Sequence, residues 1–207
     1  GCDLYSGKHK GEVRLLTSRD GYDWKPISPQ SQTGDHGGEE AEIIFDEAGN
    51  LWGTIRLEGA GAQVVYAHRD SLDRWHCFPT RDKYDSAMLF RHGKQIFLVS
   101  RRNLDGPSER GRALPPKLQR IYSMARYSLT QKCTALWLLE PQSKSLVHIM
   151  DFPSTGDTAF PGIVELGNGR YWLLNYSSDI QGPKKNWIRG QIGKTYIYGT
   201  ELSIKPS

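Results

Sequence analysis

Short apolar runs separated by glycine-containing turns recur along this chain, and each run has the length of a single strand. Three segments share the form of an apolar run, a turn and a second apolar run: residues 43–56, 88–101 and 163–176. Because glycine supplies the positive φ that tight hairpin turns need, each segment predicts two antiparallel strands. The position seven residues after the turn glycine holds Arg56, Ser100 and Tyr176. We expect these equivalent positions to lie near one another around a common axis.

A second repeat combines an Arg-Asp pair with a tryptophan in the turn that follows an apolar run. Its first copy runs from Ser18 to Trp24, and its second copy, roughly fifty residues later, runs from His68 to Trp75. Self-similarity at a period of about 20–50 residues is typical of repeat architectures. No segment predicts a helix. Residues 102–120 are expected to form a long loop, and residues 121–127 are a candidate strand.

The two repeats together predict an all-β protein. A period of about 40–50 residues with four strands per unit favours the four-stranded antiparallel blades of a β-propeller. The chain would form one propeller domain over residues 1–207, with blades at these positions: 1–38 (partial), 39–85, 86–158 and 159–207. Since a closed ring usually has more blades, we expect an incomplete ring, completed by N-terminal blades of the same protein.

Composition and charge narrow the classes of function. The chain has no window of 18 apolar residues, so no membrane span is predicted. Its 3 cysteines are too few and too scattered for a disulfide framework or zinc site, and neither a metal nor another cofactor is predicted. The net charge of +4 is concentrated in residues 101–120 and 183–194. These basic loops suit either an anionic ligand or simple solubility, and nucleic acid is not favoured because aromatic residues are scarce in them.

A family resemblance rests on the first turn repeat. Residues 18–24 (SRDGYDW) resemble the Asp-box of the sialidase (neuraminidase) superfamily, which is a structural turn between the outer strands of a propeller blade. The resemblance implies that Asp20 accepts hydrogen bonds from turn N–H groups, that Trp24 packs between sheets, and that both serve folding. Residues 156–161 (GDTAFP) are similar to the start of a blade in sialidase-like hydrolases. A secreted or periplasmic location would follow from membership of this family.

The same resemblance implies a catalytic set. A glutamate, an apolar hairpin and an arginine follow one another between Glu39 and Arg56, as in sialidases, where the glutamate partners a nucleophilic tyrosine. Tyr176 is similar in placement to that tyrosine. Its partner would be Glu42, which lies more securely in the strand, or Glu40, which the family alignment favours. The family's first arginine and its acid/base aspartate are not found ahead of the Asp-box here.

The chemistry implied is hydrolysis of an anionic or hydroxyl-rich glycan. A neutral tyrosine avoids the repulsion that a carboxylate nucleophile meets at an anionic sugar. Arginine supplies bidentate recognition of a sugar carboxylate, a role that falls to Arg56 and Arg101. Asp157 or Asp35 would protonate the leaving oxygen. The remaining candidates for ligand contact are Arg102, His36, Trp187 and Arg189.

Plainer interpretations stand beside each of these roles. Tyr176 could be a core residue, the glutamates a solvated strand end, and Arg102 a surface charge. Among the tryptophans, Trp187 is preferred as a ligand contact because its neighbours are polar, whereas Trp52 and Trp172 suit core packing. The alternative function is a non-catalytic propeller module that binds carbohydrate or protein through the same rim.

Overall fold

The chain forms a row of antiparallel sheets that pack face to face. The computed structural model describes residues 12–30, 32–33, 38–57, 61–106 and 115–205. A small sheet contains β1 (Leu16–Thr17) and β2 (Lys25–Pro26). The first blade contains β3 (Ala41–Phe45), β4 (Leu51–Arg56), β5 (Ala62–Ala67) and β6 (His76–Thr80). The second blade contains β7 (Asp85–His92), β8 (Gln95–Asn103), β9 (Lys132–Glu140) and β10 (Ser145–Phe152). The third blade contains β11 (Ala159–Gly167), β12 (Arg170–Ser178) and β13 (Thr195–Ser203).

Apolar cores lie between neighbouring blades. The core between the first and second blades joins Trp52 and Val64 to Leu98 and Trp137. The core between the second and third blades includes the following residues: Phe97, Val99, Leu136, Tyr171 and Leu173. On the other side of the first blade, Leu51, Ile55 and Val65 pack with Val13 and Leu15. Because the first two blades bury both faces, their central strands are continuous apolar runs without clear alternation, as β4 shows.

The first strands of the three blades lie side by side, with β3 against β7 and β7 against β11. Antiparallel blades whose inner strands lie next to one another form the β-propeller architecture that the sequence predicts. The described residues do not close the ring. The start of each first strand pairs with the end of the second, as Asp85 does with Arg101 and Ala159 with Tyr176. We call this end of the blades the mouth.

The outer face of the third blade is open. Val164, Trp172, Leu174 and Ile197 share this face by strand register or alternation, and each is more than a third exposed. No described part of the chain covers them. An apolar sheet face of this kind is normally packed against another element.

Two helices correct the prediction that the chain has none. The helix α1 (Pro116–Leu129) replaces the end of the expected loop and the candidate strand, and α2 (Trp187–Ile192) lies in the second basic segment. The apolar side chains Ile121 and Met124 of α1 are exposed, while Ser123 and Tyr127 are buried. Because the buried side chains that the structure describes in α1 do not form an apolar stripe, the usual amphipathic pattern does not mark this helix. Neither helix is long and apolar enough to cross a membrane.

The two turn repeats have a common hydrogen bond. The Trp24 indole donates to the carbonyl of Gly21 at 3.0 Å, and the Trp75 indole donates to the carbonyl of Leu72 at 3.0 Å. The Asp20 carboxylate accepts from two backbone N–H groups of its own turn, as expected. Trp24 itself is 58% exposed, so the expectation that it packs between sheets is wrong for the described residues.

The close approach of strands at Gly53 gives a stability prediction. A Cβ atom at Gly53 would lie 2.5 Å from the backbone oxygen of Glu42, whereas one at Gly162 would meet nothing within 4 Å. We expect Gly53→Ala to lower the free energy of unfolding by about 1–3 kcal/mol because β3 must move away. Gly162→Ala is the matched control and should change it by less than about 0.5 kcal/mol. Chemical denaturation measures both values, and equal effects would contradict the prediction.

Candidate functional site at the mouth of the blades

Arg101 is the centre of a buried polar cluster at the mouth. The end of β8 places this residue between the second and third blades, where it is only 7% exposed. Its Nε donates to the carbonyl of Thr158 at 2.6 Å, and its Nη1 donates to the Tyr127 hydroxyl at 2.8 Å. Its Nη2 donates to Asp157 Oδ1 at 2.8 Å and to the Tyr176 hydroxyl at 3.0 Å. Every nitrogen of the guanidinium therefore has a protein partner.

The environment keeps Arg101 charged. Burial alone would lower the pKa of Arg101, but the oxygens of Tyr127, Asp85 and Tyr176 outweigh it, and the net effect is a raised pKa. A buried cation is stable only when its charge and hydrogen bonds are matched in this way.

Asp85 is the buried carboxylate that joins the first and second blades. It stands at the start of β7 and is 1% exposed. It accepts a hydrogen bond of 2.5 Å from the Tyr127 hydroxyl and lies 2.9 Å from Arg56 Nε. Lys83 Nζ is 3.9 Å away. Because Tyr127 also contacts Arg101, one phenol connects the two arginines through Asp85.

Arg56 completes the cluster from the first blade. Its guanidinium lies 2.8 Å from Glu40 and 3.0 Å from Glu39. Burial lowers the pKa of Arg56, but the charges of Asp85, Glu40 and Glu39 outweigh it, so the pKa is raised overall. Glu40 also accepts from the backbone N–H of Ser86 at 3.2 Å, which ties the first blade to the second.

The structure therefore brings five of the predicted site residues into one connected network: Arg56, Glu40, Arg101, Asp157 and Tyr176. Glu42 lies deeper along β3 and accepts from the backbone N–H of Leu89 at 3.4 Å. Burial raises the pKa of Glu42. The Tyr176 hydroxyl bonds to Arg101, while the hydrogen bonds of both glutamates go to the residues named above. The glutamate–tyrosine pair of the family resemblance is not among the contacts of the described residues.

Other predicted residues lie away from this cluster or outside the described residues. Arg102 follows Arg101 on a strand, faces the opposite side, and pairs with Asp151 at 2.8 Å. Trp187 packs edge-on against the Tyr127 ring, with 5.5 Å between ring centroids. Arg189 is an exposed residue of α2. Asp35 and His36 fall outside the described residues.

One position in the hairpin repeat departs from expectation. Ser100, seven residues after its turn glycine, is fully buried, and the side chain that reaches the cluster is the next one, Arg101. The pairing of β7 with β8 shifts register between Asp85 and Met88. The extra residue of this bulge lies in β7, so it re-aims side chains at the start of β7 and does not change the faces of Ser100 and Arg101 in β8.

Sequence reasoning missed Asp85 and Tyr127. A signal for Asp85 was present, because each blade has an acid at or just before its first strand: Glu40, Asp85 and Asp157. Tyr127 had no such signal, since it arrives from a helix that the apolar pattern does not show.

Two titratable groups at the cluster have strongly shifted pKa values. Burial raises the pKa of Tyr176 to about 12, although Arg101 opposes the shift, so the phenol is neutral near pH 7. Burial, helped by the charge of Arg101, lowers the pKa of Lys132 to about 7. Lys132 Nζ lies 4.2 Å from the centroid of the Tyr127 ring and donates to the Tyr127 carbonyl at 2.7 Å. In the described part of the chain, no group of three or more potential ligands is arranged to hold a metal ion.

Comparison with known proteins shows the fold. No family profile matches this chain, and no curated protein matches it by sequence. A protein of unknown function from Dyadobacter fermentans DSM 18053 has a similar structure, with a TM-score of 0.60 and 15% identity over 95% of this chain and 46% of its own. The endosialidase of phage phi92 aligns with a TM-score of 0.59 and 14% identity over 95% of this chain and 32% of its own. The chain thus spans less than half of either protein, and it belongs by fold to the β-propellers.

Substitution of Tyr127 tests whether its hydroxyl links Arg101 to Asp85, and a second tyrosine of α1 supplies the control. Tyr127→Phe removes the hydroxyl between Arg101 and Asp85 and leaves two buried charged groups with one partner fewer. We expect a loss of about 1.5–3 kcal/mol in the free energy of unfolding, as for hydrogen bonds to charged groups. Tyr122→Phe, at an exposed position of α1, is the control and should change it by less than about 0.5 kcal/mol. A small effect at Tyr127 would show that the network does not depend on it.

The low pKa of Lys132 predicts a pH dependence of stability. The unfolded lysine keeps its proton up to about pH 10.5, whereas the folded one loses it near pH 7. The unfolded state therefore binds more protons in this window, and the free energy of unfolding rises with pH between about 7 and 10. In the Lys132→Met variant the free energy of unfolding should not show this increase with pH. The control Lys94→Met, at an exposed turn, should show the same increase as wild type. Urea denaturation at several pH values measures the slopes, and parallel curves for wild type and Lys132→Met would contradict the assignment.

Proposed function

We propose that the mouth is a glycan-binding site and that the protein is a sialidase-like glycoside hydrolase acting on an anionic or hydroxyl-rich glycan. The observation that carries this proposal is the sharing of Arg101 Nη2 by the Tyr176 phenol and the Asp157 carboxylate, at 3.0 Å and 2.8 Å. A half-exposed phenol and a carboxylate held side by side are a nucleophile and a proton acceptor within reach of one bound sugar.

In this proposal Tyr176 attacks the anomeric carbon. Its proton passes to a carboxylate as the new C–O bond forms, because burial raises the pKa of the phenol to about 12 and a free phenolate is scarce. Asp157 accepts hydrogen bonds from Arg101 and from Gln191 Nε2, which suits a proton acceptor better than the donor role suggested by the sequence. The bond to the leaving oxygen breaks, and that oxygen takes a proton from a second acid. Water then hydrolyses the glycosyl-tyrosine.

The charge distribution favours a hydroxyl-rich ligand over a strongly anionic one. Arg101 has all three nitrogens on protein partners, and Arg56 is surrounded by three carboxylates. A substrate carboxylate would have to displace one of these partners. The same observation supports the second candidate, a non-catalytic module that binds carbohydrate at the mouth.

We also propose that the working protein has further blades. Val164, Trp172 and Leu174 leave an apolar sheet face uncovered by the described residues, and a neighbouring blade would bury it as the second blade buries the face opposite. The complete mouth would then be lined by additional residues.

Turnover of fluorogenic glycosides tests the catalytic proposal. Wild type, Tyr176→Phe and the control Tyr196→Phe would be assayed on a panel that contains a sialoside and neutral pentosides and hexosides. We expect kcat to fall by roughly 10²-fold or more in Tyr176→Phe and to stay within about twofold in Tyr196→Phe, which lies on β13 outside the cluster.

The outcomes separate the two candidates. Hydrolysis that survives Tyr176→Phe rules out the phenol as nucleophile. Glycan binding without hydrolysis of any member of the panel supports the non-catalytic module instead.

A further inference from the structure

Phe160, at the beginning of β11, combines an exposed aromatic ring with an uncommon backbone conformation. Its side chain is 64% exposed, and its φ of +42° lies in the left-handed region. Positive φ is uncommon for a bulky residue and strains its backbone. The preceding Ala159 also has an unusual φ of +135°. The equivalent bulge at the start of β7 likewise has a positive φ, +51° at the buried Ser86, so the feature peculiar to Phe160 is its exposed aromatic ring.

The local strand geometry points the ring at the mouth. The pairing of β11 with β12 shifts register between Ala159 and Gly162, which places Phe160 in a bulge. Bulges re-aim side chains and are common next to functional sites. The Phe160 ring stacks on the Tyr176 ring, with centroids 5.9 Å apart and planes inclined by 23°.

The exposed ring adjoins polar groups that can bind hydroxyls. The Tyr176 hydroxyl lies 3.0 Å from Arg101 Nη2, and the same nitrogen holds Asp157. A flat apolar surface thus continues into a phenol and a carboxylate. A sugar ring has the complementary form, with an apolar face of C–H groups and a rim of hydroxyls. Ligand sites typically combine such an aromatic wall with a few placed polar groups.

We propose that Phe160 is a stacking platform for one sugar ring of the glycan, and that the hydroxyls of this sugar bind Tyr176 and Asp157. The inference rests on the proposed function and gives its site a named binding surface.

Binding and kinetics test the platform. A glycan array would be probed with wild type, Phe160→Ala, Phe160→Tyr and the control Ile197→Ala. Ile197 is 78% exposed and pairs with Tyr176 in the strand register, so it matches Phe160 in exposure and neighbourhood. We expect Phe160→Ala to weaken binding of the best array glycan roughly tenfold or more. Phe160→Tyr should keep most of the affinity, and Ile197→Ala should leave it unchanged. With a hydrolysed glycoside, Phe160→Ala should raise KM more than it lowers kcat.

Thermal stability separates ligand recognition from a structural role. Phe160→Gly relieves the strained φ, since glycine adopts positive φ freely. We expect an unchanged or higher Tm together with lost glycan binding. A marked fall in Tm would show that the ring stabilises the fold and would overturn the proposal.

The remaining outcomes distinguish the sugar platform from the proposed hydrolase activity. If Phe160→Ala binds or hydrolyses the glycan as well as wild type does, the platform is overturned and the proposed hydrolase activity is unaffected. Binding that depends on Phe160 without any hydrolysis supports the platform and overturns the hydrolase, and the absence of both binding and hydrolysis overturns both. Equal losses in Phe160→Ala and Ile197→Ala, with a change in sedimentation, identify a protein-binding face and overturn the sugar platform.

Discussion

The arrangement of the mouth depends on one buried carboxylate, Asp85. Burying an unpaired cation costs several kcal/mol, and two arginines lie here on different blades, Arg56 at the end of β4 and Arg101 near the end of β8. Asp85 gives Arg56 a partner from the second blade and, through the Tyr127 hydroxyl, connects it to Arg101. The charges are matched only when both blades and the helix α1 are in place. This requirement fixes the blades relative to one another at the end where the apolar cores stop.

The same requirement shapes what the mouth offers to a ligand. Arg56 and Arg101 are paired with groups of the protein itself. The groups left on the accessible side are therefore a phenol, a carboxylate and an exposed aromatic ring. Tyr176, Asp157 and Phe160 all come from the third blade and are held against Arg101 of the second. A surface of this composition is suited to hydroxyls and C–H faces, which is why we infer a glycan and favour a hydroxyl-rich one.

Strand pairing within the blades was predictable, because alternating apolar runs and turn glycines are local signals. The hairpins around Gly49, Gly93 and Gly169 have positive φ at these residues, as their turns require. The helix α1 was not predictable, since Ile121 and Met124 are exposed, and the buried side chains described in it are Ser123 and Tyr127. Arg101 and Tyr176, both singled out from the sequence, are hydrogen-bonded to each other. The shared contact with Asp157, and the links through Asp85 and Tyr127, come from elements far apart in sequence.

The kind of fold follows from the amino-acid sequence alone, which encodes repeated hairpins, an all-β architecture, and the charged and phenolic side chains near strand ends. These features follow from periodicity and turn chemistry, which act over a few residues. Which of those side chains neutralise one another, and which remain open to a ligand, depends on the packing of the blades. Burial and pairing depend on distances between blades, and neighbouring residues of one strand, such as Ser100 and Arg101, lie on opposite faces of the sheet.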